Sequence, residues 1–151
     1  MSIRDDLNVK QFSSPYMEAV LNVLFTGHWL TDETNKVLRP MGLTEPQFNV
    51  LTLIYAARGK PISSQVIQSG MIQRQSNVTR IVDKLVLRGW VTRDTCPENR
   101  RKVDITITEE GKEAYKNARK AVMGFHSRLM GKISNKDAEQ LSGLLDVLRT
   151  E

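Results

Sequence analysis

The chain has 151 residues, 40% of them hydrophobic and 26% charged, the balance of an ordinary folded domain large enough to bury a core unaided. Its single cysteine excludes an internal disulfide, and two histidines are too few to complete a zinc framework. Twenty-two basic residues against seventeen acidic ones leave a net charge of +5, which permits a nucleic-acid partner without establishing one.

The opening stretch MSIRDDLNVKQF carries two early acids and no apolar core, so no secretory signal is expected. The most apolar run, Val50 to Ala57, is far shorter than the roughly 20 residues needed to cross a bilayer. With the lone Cys96, these features point to a reducing, cytoplasmic setting and no membrane partner. Ser14-Pro15 then reads as a helix cap followed by a first-turn proline. Met17, Val20, Leu21, Leu24 and Leu38 keep one face of that helix apolar until Pro40 and Gly42 stop it. So long a helix in a small domain predicts a second role besides filling the core. Thr44-Glu45-Pro46-Gln47 reads as a capping box opening a second helix, with Phe48, Leu51 and Tyr55 expected as its buried stripe. Ser63 opens a short third helix that Gly70 closes.

A fourth helix is expected from about Arg74 to Arg88, with Val78, Ile81, Val82 and Leu85 at 3.6-residue spacing and Gly89 past its end. Val103, Ile105 and Ile107 alternate with Asp104 and Thr106 as in a half-buried strand, and Trp90 to Arg93 is the expected antiparallel partner. The polar run from Thr95 to Lys102 makes the hairpin loop between them. Thr108 caps a fifth helix. Ser134, with Asp137 three residues on, caps a sixth that carries Leu141, Leu144, Leu145 and Leu148. The expected class is therefore mainly α with one small antiparallel β-hairpin.

Position gives the charge its meaning. From Arg58 to Lys102 there are ten basic and three acidic residues, a net +7, so the remainder of the chain is −2. That segment is two short helices joined by a Gly-containing turn and followed by a hairpin, a helix-turn-helix with the electrostatic footprint of a nucleic-acid surface. Asn77, Arg80, Lys84 and Arg88 repeat on the face opposite Val78, Ile81 and Leu85, with Ser76 and Thr79 beside them. Near a helix N-terminus such groups read base edges in a major groove, whereas Lys84 and Arg88 are placed for phosphates. At the hairpin tip, Arg100-Arg101-Lys102 can reach an adjacent minor groove.

The run SNVTRIVDKLVLRGWVTRDTCPENRRKVDITITEEGKE, Ser76 to Glu113, resembles the MarR (multiple antibiotic resistance regulator) family of bacterial transcription factors, and LTEPQFNVL at Leu43 to Leu51 resembles that family's second helix. The resemblance implies a single MarR-like domain over 1–151. Within it, 43–107 is a winged helix-turn-helix lobe, and 14–39 with 108–150 form N- and C-terminal dimerisation helices. It implies a homodimer on a pseudo-palindromic operator in double-stranded DNA, released when a small-molecule effector binds. Ser76, Asn77, Thr79 and Arg80 are then expected to face bases. Arg74, Lys84, Arg88 and Arg100 face phosphates, and Arg101 matches the arginine that enters the minor groove. Asn99 stands where the family's wing usually has aspartate. An effector lodged between the dimer helices and the lobe brings Trp29 and Tyr55 within range.

The apolar stripes at both chain ends also point to burial against a twin subunit. The competing reading is a winged-helix protein-interaction module that does not touch DNA. No Gly-rich phosphate loop, nucleophile elbow or HExxH is present, so neither an enzyme nor a cofactor is expected. His28 and His126 have no local ligand cluster for a metal. Cys96 is read as an incidental thiol, and Asp83 as an intrahelical partner for a neighbouring base.

Overall fold

A computed structural model describes residues 2–95 and 103–150, and helices dominate it apart from one hairpin. The chain divides into two compact units, Met1–Glu45 and Pro46–Glu151.

The first unit begins with a one-turn helix, α1 (Ile3–Asp6), too short to show periodicity in the sequence. Ser2 and Asp5 cap it reciprocally, and Arg4 donates two hydrogen bonds, 2.9 and 2.6 Å, to the Glu18 carboxylate on α2 (Pro15–Leu38). As expected, Ser14 Oγ accepts from the Met17 N–H at 3.2 Å, and Pro15 occupies the first turn, where no intrahelical donor is needed. A 3₁₀ turn at Arg39–Met41 ends the helix at Gly42, whose φ of +64° favours glycine. Of the 24 residues of α2 only Leu38 is buried, while Met17, Val23, Leu24, Phe25 and Trp29 remain exposed.

The second unit contains α3 from Pro46 onward (the helix spans Glu45–Ala56), then α4 (Ser64–Gly70) and α5 (Val78–Leu87). The hairpin β1 (Val91–Thr95) and β2 (Val103–Ile107) follows, then α6 (Glu109–Met130) and α7 (Asn135–Leu148). Its core joins Val50, Leu51 and Ile54 of α3 to Ile67, Val82, Leu85, Val91 and Ile105, all nearly inaccessible. Each such side chain stabilises the fold by about 1.5–3 kcal/mol relative to exposure. The expected stripe on α3 needs correction. Leu51 is buried, but Gln47, Val50 and Ile54 share that face, whereas Phe48 and Tyr55 are half-buried and lie against Tyr115 of α6. The two aromatics sit one position around the helix from the core stripe, and periodicity alone does not separate those faces.

The hairpin is antiparallel with Val91 opposite Ile107 and Thr95 opposite Val103, so its first strand begins one residue later and runs two further than expected. Ile62 exchanges two 3.0 Å backbone hydrogen bonds with Ile105, adding a bridge on the far side of β2. At the hairpin's base the Thr108 N–H donates to the Trp90 carbonyl at 3.0 Å, its hydroxyl donates to the Gly89 carbonyl at 2.7 Å, and the Gly111 N–H donates back to that hydroxyl at 3.0 Å. The start of α6 is thus fixed to the turn after α5. Ser134 and Asp137 cap α7 reciprocally, as expected.

Candidate nucleic-acid interface

The interface is built on α4, the turn from Met71 to Ser76, and α5. Ser63 Oγ accepts from the Val66 N–H at 3.3 Å and starts α4. Two side chains then clamp the turn. The Ile72 N–H donates to Asn49 Oδ1 of α3 at 3.0 Å, and Gln68 Nε2 donates to the Arg74 carbonyl at 2.7 Å. Asn77 Oδ1 accepts from the Arg80 N–H at 3.0 Å, so α5 begins at Val78 rather than near Arg74. An asparagine side chain competes with the helix for backbone donors and is favoured at the cap, which sets the boundary here.

That boundary redistributes the expected contacts. Arg74 and Ser76 stand on the clamped turn ahead of the helix, and the Asn77 carbonyl is committed to the cap, leaving its NH₂ group for any other contact. Thr79, Arg80 and Lys84 are exposed on α5, opposite buried Val78, Val82 and Leu85. Neither Arg80 nor Lys84 lies within ion-pairing distance of a carboxylate among the described residues. Arg88 follows the last turn with its guanidinium 4.5 Å from the Trp90 ring centroid, a cation–π contact.

Asp83 does not pair within its helix. Its Oδ1 accepts a hydrogen bond of 2.7 Å from Arg93 Nη1 on β1, joining α5 to the hairpin. Neither Lys84 nor Arg80 takes the carboxylate, and the strand supplies the cation instead. A groove of about 510 Å³ runs along the same surface, lined by Ser64, Gln65, Gln68, Gln75, Asn77, Val78 and Thr79. Four of these, Ser64, Gln65, Gln68 and Gln75, escaped sequence reasoning because uncharged side chains leave no mark on a charge count. Arg100 and Arg101, like Cys96 and Asn99, lie outside the described residues.

A second concavity, about 570 Å³, lies between α3 and α6 and is lined by Tyr55, Tyr115, Lys116, Arg119, Lys120 and Met123. The Tyr55 and Tyr115 ring centroids are 4.3 Å apart, and Phe48 stacks on Tyr115 at 5.8 Å. Of the two effector contacts expected from sequence, Tyr55 lines this cleft, and Trp29 is on α2 of the other unit, 38% exposed. Among the described residues no three His, Cys, Asp or Glu side chains gather in a way that could hold a metal, and no helix is long and apolar enough to cross a membrane.

Residues 43–103 match the MarR family model. The transcriptional repressor MprA of Escherichia coli strain K12 is 26% identical over 129 residues, which cover 84% of this chain and 73% of MprA. Over that segment and beyond it the chain is similar to MarR-family proteins. Solved MarR-family structures share its fold. CouR from Rhodococcus jostii RHA1, solved with p-coumaroyl-CoA bound, superposes with a TM-score of 0.73 at 25% identity, over 93% of this chain and 99% of CouR. A MarR-like transcription regulator from Bacillus cereus ATCC 10987 gives 0.78 at 22% identity, over 89% and 95% of the two chains. The two short helices and hairpin of this chain are arranged as the winged helix-turn-helix of these structures.

Proposed function

We propose that this chain is a MarR-family transcriptional regulator, a cytoplasmic, homodimeric repressor that binds a pseudo-palindromic operator and releases it when a small molecule binds. One observation carries the DNA-binding half: the exposed face of α5 presents Arg80 and Lys84 without carboxylate partners, over a fully apolar buried face. Ser76, Asn77, Thr79 and Arg80 read base edges in the major groove. Arg74, Lys84, Arg88 and Arg100 hold phosphates, and Arg101 enters the minor groove. Arginine recognises guanine with two hydrogen bonds, and phosphate contacts set register without selecting sequence.

Dimerisation is supported by apolar surface that a single chain leaves in water, on α2 at Met17, Leu24 and Phe25 and on α7 at Leu141, Leu144 and Leu148. A two-fold axis places the two copies of α5 about one DNA turn apart, roughly 34–36 Å. The effector half is supported by the Tyr55 cleft and by the ligand found in CouR. No catalytic, cofactor or membrane role is assigned.

The test is a titration of duplex DNA at several salt concentrations, followed by competition with unrelated sequence. Sequence-selective binding with a logarithmic salt slope of several units is expected, because each phosphate neutralised adds about 0.9 to the slope. Absence of salt-dependent binding by the dimer at low salt overturns this reading in favour of a protein-interaction module.

A further inference from the structure

We propose that Gln75, on the turn ahead of α5, selects one adenine in each half-site of the DNA by pairing with its major-groove edge. This rests on the DNA-binding reading above and adds a base-selecting residue to it.

The groove beside α5 is lined by four side-chain amides and by no charged group. It offers hydrogen bonds without charge, so the chemistry it matches is a neutral edge. Of the four bases only adenine presents a donor beside an acceptor in the major groove, N6–H next to N7. A primary amide carries one acceptor and one donor group on the same carbon and meets that edge with two hydrogen bonds. Against guanine, whose N7 and O6 both accept, the amide oxygen faces a second acceptor and stays unpaired, which is the source of discrimination.

Two of the four amides are already engaged. Asn77 Oδ1 accepts from the Arg80 N–H, and Gln68 Nε2 donates to the Arg74 carbonyl at 2.7 Å. Gln65 and Gln75 are exposed, and neither side chain has a hydrogen-bond partner among the described residues. Gln65 stands on α4, and the first helix of a helix-turn-helix crosses the DNA backbone. Gln75 stands two residues before the Asn77 cap, beside the N-terminal turn of α5, the part of a second helix that meets base edges.

The backbone around Gln75 is held from both sides. The Ser76 N–H donates to the Gln73 carbonyl at 3.0 Å, closing a turn with Arg74 and Gln75 at its centre. Gln68 grips the Arg74 carbonyl, the oxygen of the peptide bond that enters Gln75. The Ile72 N–H is bound to Asn49 Oδ1 of α3. With the main chain fixed in advance, forming the contact costs only the rotamer freedom of one side chain.

Selection from a random-sequence duplex pool by the full-length protein, at fixed salt, tests this. The wild type is expected to enrich a motif with one adenine per half-site whose preference vanishes in Gln75→Ala while the other positions are kept. Gln75→Glu, similar in shape but an acceptor only, is expected to move that preference to cytosine, whose amino group donates. A merely structural role in the turn would not exchange one base for another at one position. On the selected duplex, replacing that A·T pair should weaken the wild type at least about fivefold and Gln75→Ala less than about twofold. Thermal melts check that both variants fold, and Gln75 is exposed. An unchanged adenine preference in Gln75→Ala, or an equal loss on every duplex (the mark of a phosphate contact), overturns the proposal and leaves the DNA-binding reading standing. A wild-type selection that enriches no sequence overturns both, so the two failures are told apart.

Discussion

Arg93 Nη1 on the first hairpin strand lies 2.7 Å from Asp83 Oδ1 in the middle of α5, and this ion pair ties that helix to the hairpin. Both side chains are about half exposed, at 40% and 52%, so the pair contributes only about 0.2–1 kcal/mol to stability. Its effect is expected in geometry. Asp83→Asn should shift the urea midpoint by less than about 1 kcal/mol equivalent. It also removes an acid from a phosphate-facing surface, so affinity for unrelated DNA should rise. With the strand untied, the ratio of operator to unrelated affinity should fall. An unchanged ratio in a competition titration refutes a positioning role.

Asn77 caps α5 and has a proposed DNA contact, and substitution can separate the two. Its Oδ1 caps α5 by accepting from the Arg80 N–H, and Asn77→Ala should cost about 1 kcal/mol in chemical denaturation. Asn77→Asp keeps the cap and favours the helix dipole, so stability should hold or rise, while the carboxylate repels DNA. Retained stability with at least about tenfold weaker operator binding is the expected outcome. Equal DNA affinity in the aspartate variant removes Asn77 from the interface.

Two glycines on α6 should respond to alanine with opposite signs. At Gly111 an added Cβ would lie 1.9 Å from the Trp90 carbonyl oxygen, a backbone atom that Thr108 also grips from the other side. The junction must open, so Gly111→Ala is expected to cost about 3 kcal/mol, the upper end for overpacking. At Gly124 the same Cβ meets nothing within 4 Å, and Gly124→Ala should stabilise by about 0.5–1 kcal/mol through lost unfolded-state freedom. Urea melts of both variants check the pair.

What the sequence disclosed, and what it hid, follows from the range of the forces involved. Ser14, Ser63, Thr108 and Ser134 each cap the helix they were expected to open, because a cap is a contact three residues long. The hairpin pairing was legible from alternation at Val103, Ile105 and Ile107. The start of α5 was misplaced by four residues because both Arg74–Ser76 and the helix proper are polar, and only the Asn77 cap separates them. Asp83 found its partner ten residues away on a strand, beyond any helical spacing rule. The Tyr115, Lys116, Arg119, Lys120 face was present as an i, i+1, i+4, i+5 pattern, but it becomes a cleft only when α3 brings Tyr55 across.

Acid should erode stability from the helix caps. The Asp137 carboxyl is held below its usual value by the Ser134 hydroxyl and then by the Ser134 N–H. Asp5, Glu18 and Glu109 are lowered by Ser2, Arg4 and Lys112. A carboxylate that binds its proton more weakly when folded contributes stability above its unfolded value, and this is lost as pH falls through the lowered one. Glu45, pushed upward by burial, acts in the opposite sense, favouring the fold below its unfolded value and losing that as pH rises through the raised one. Thermal midpoints should therefore fall below the ordinary carboxylate range, and Asp137→Asn should make that decline shallower. An unchanged acid limb contradicts the role given to the α7 cap.

The C-terminal helix carries the sharpest test of assembly. Leu141, Leu144 and Leu148 follow one another at three- and four-residue steps on α7, yet they are 50%, 57% and 51% exposed in the single chain. A stripe of that spacing is what a helix buries against a partner. Leu144→Glu places a charge at its centre, where burial without a counter-ion costs several kcal/mol, so the variant should sediment as a monomer while keeping its helical content. Because a dimer holds two copies of α5 on one duplex, the monomer should also lose most of its operator affinity and retain a shallower salt slope. A Leu144→Glu protein that remains dimeric removes α7 from the interface.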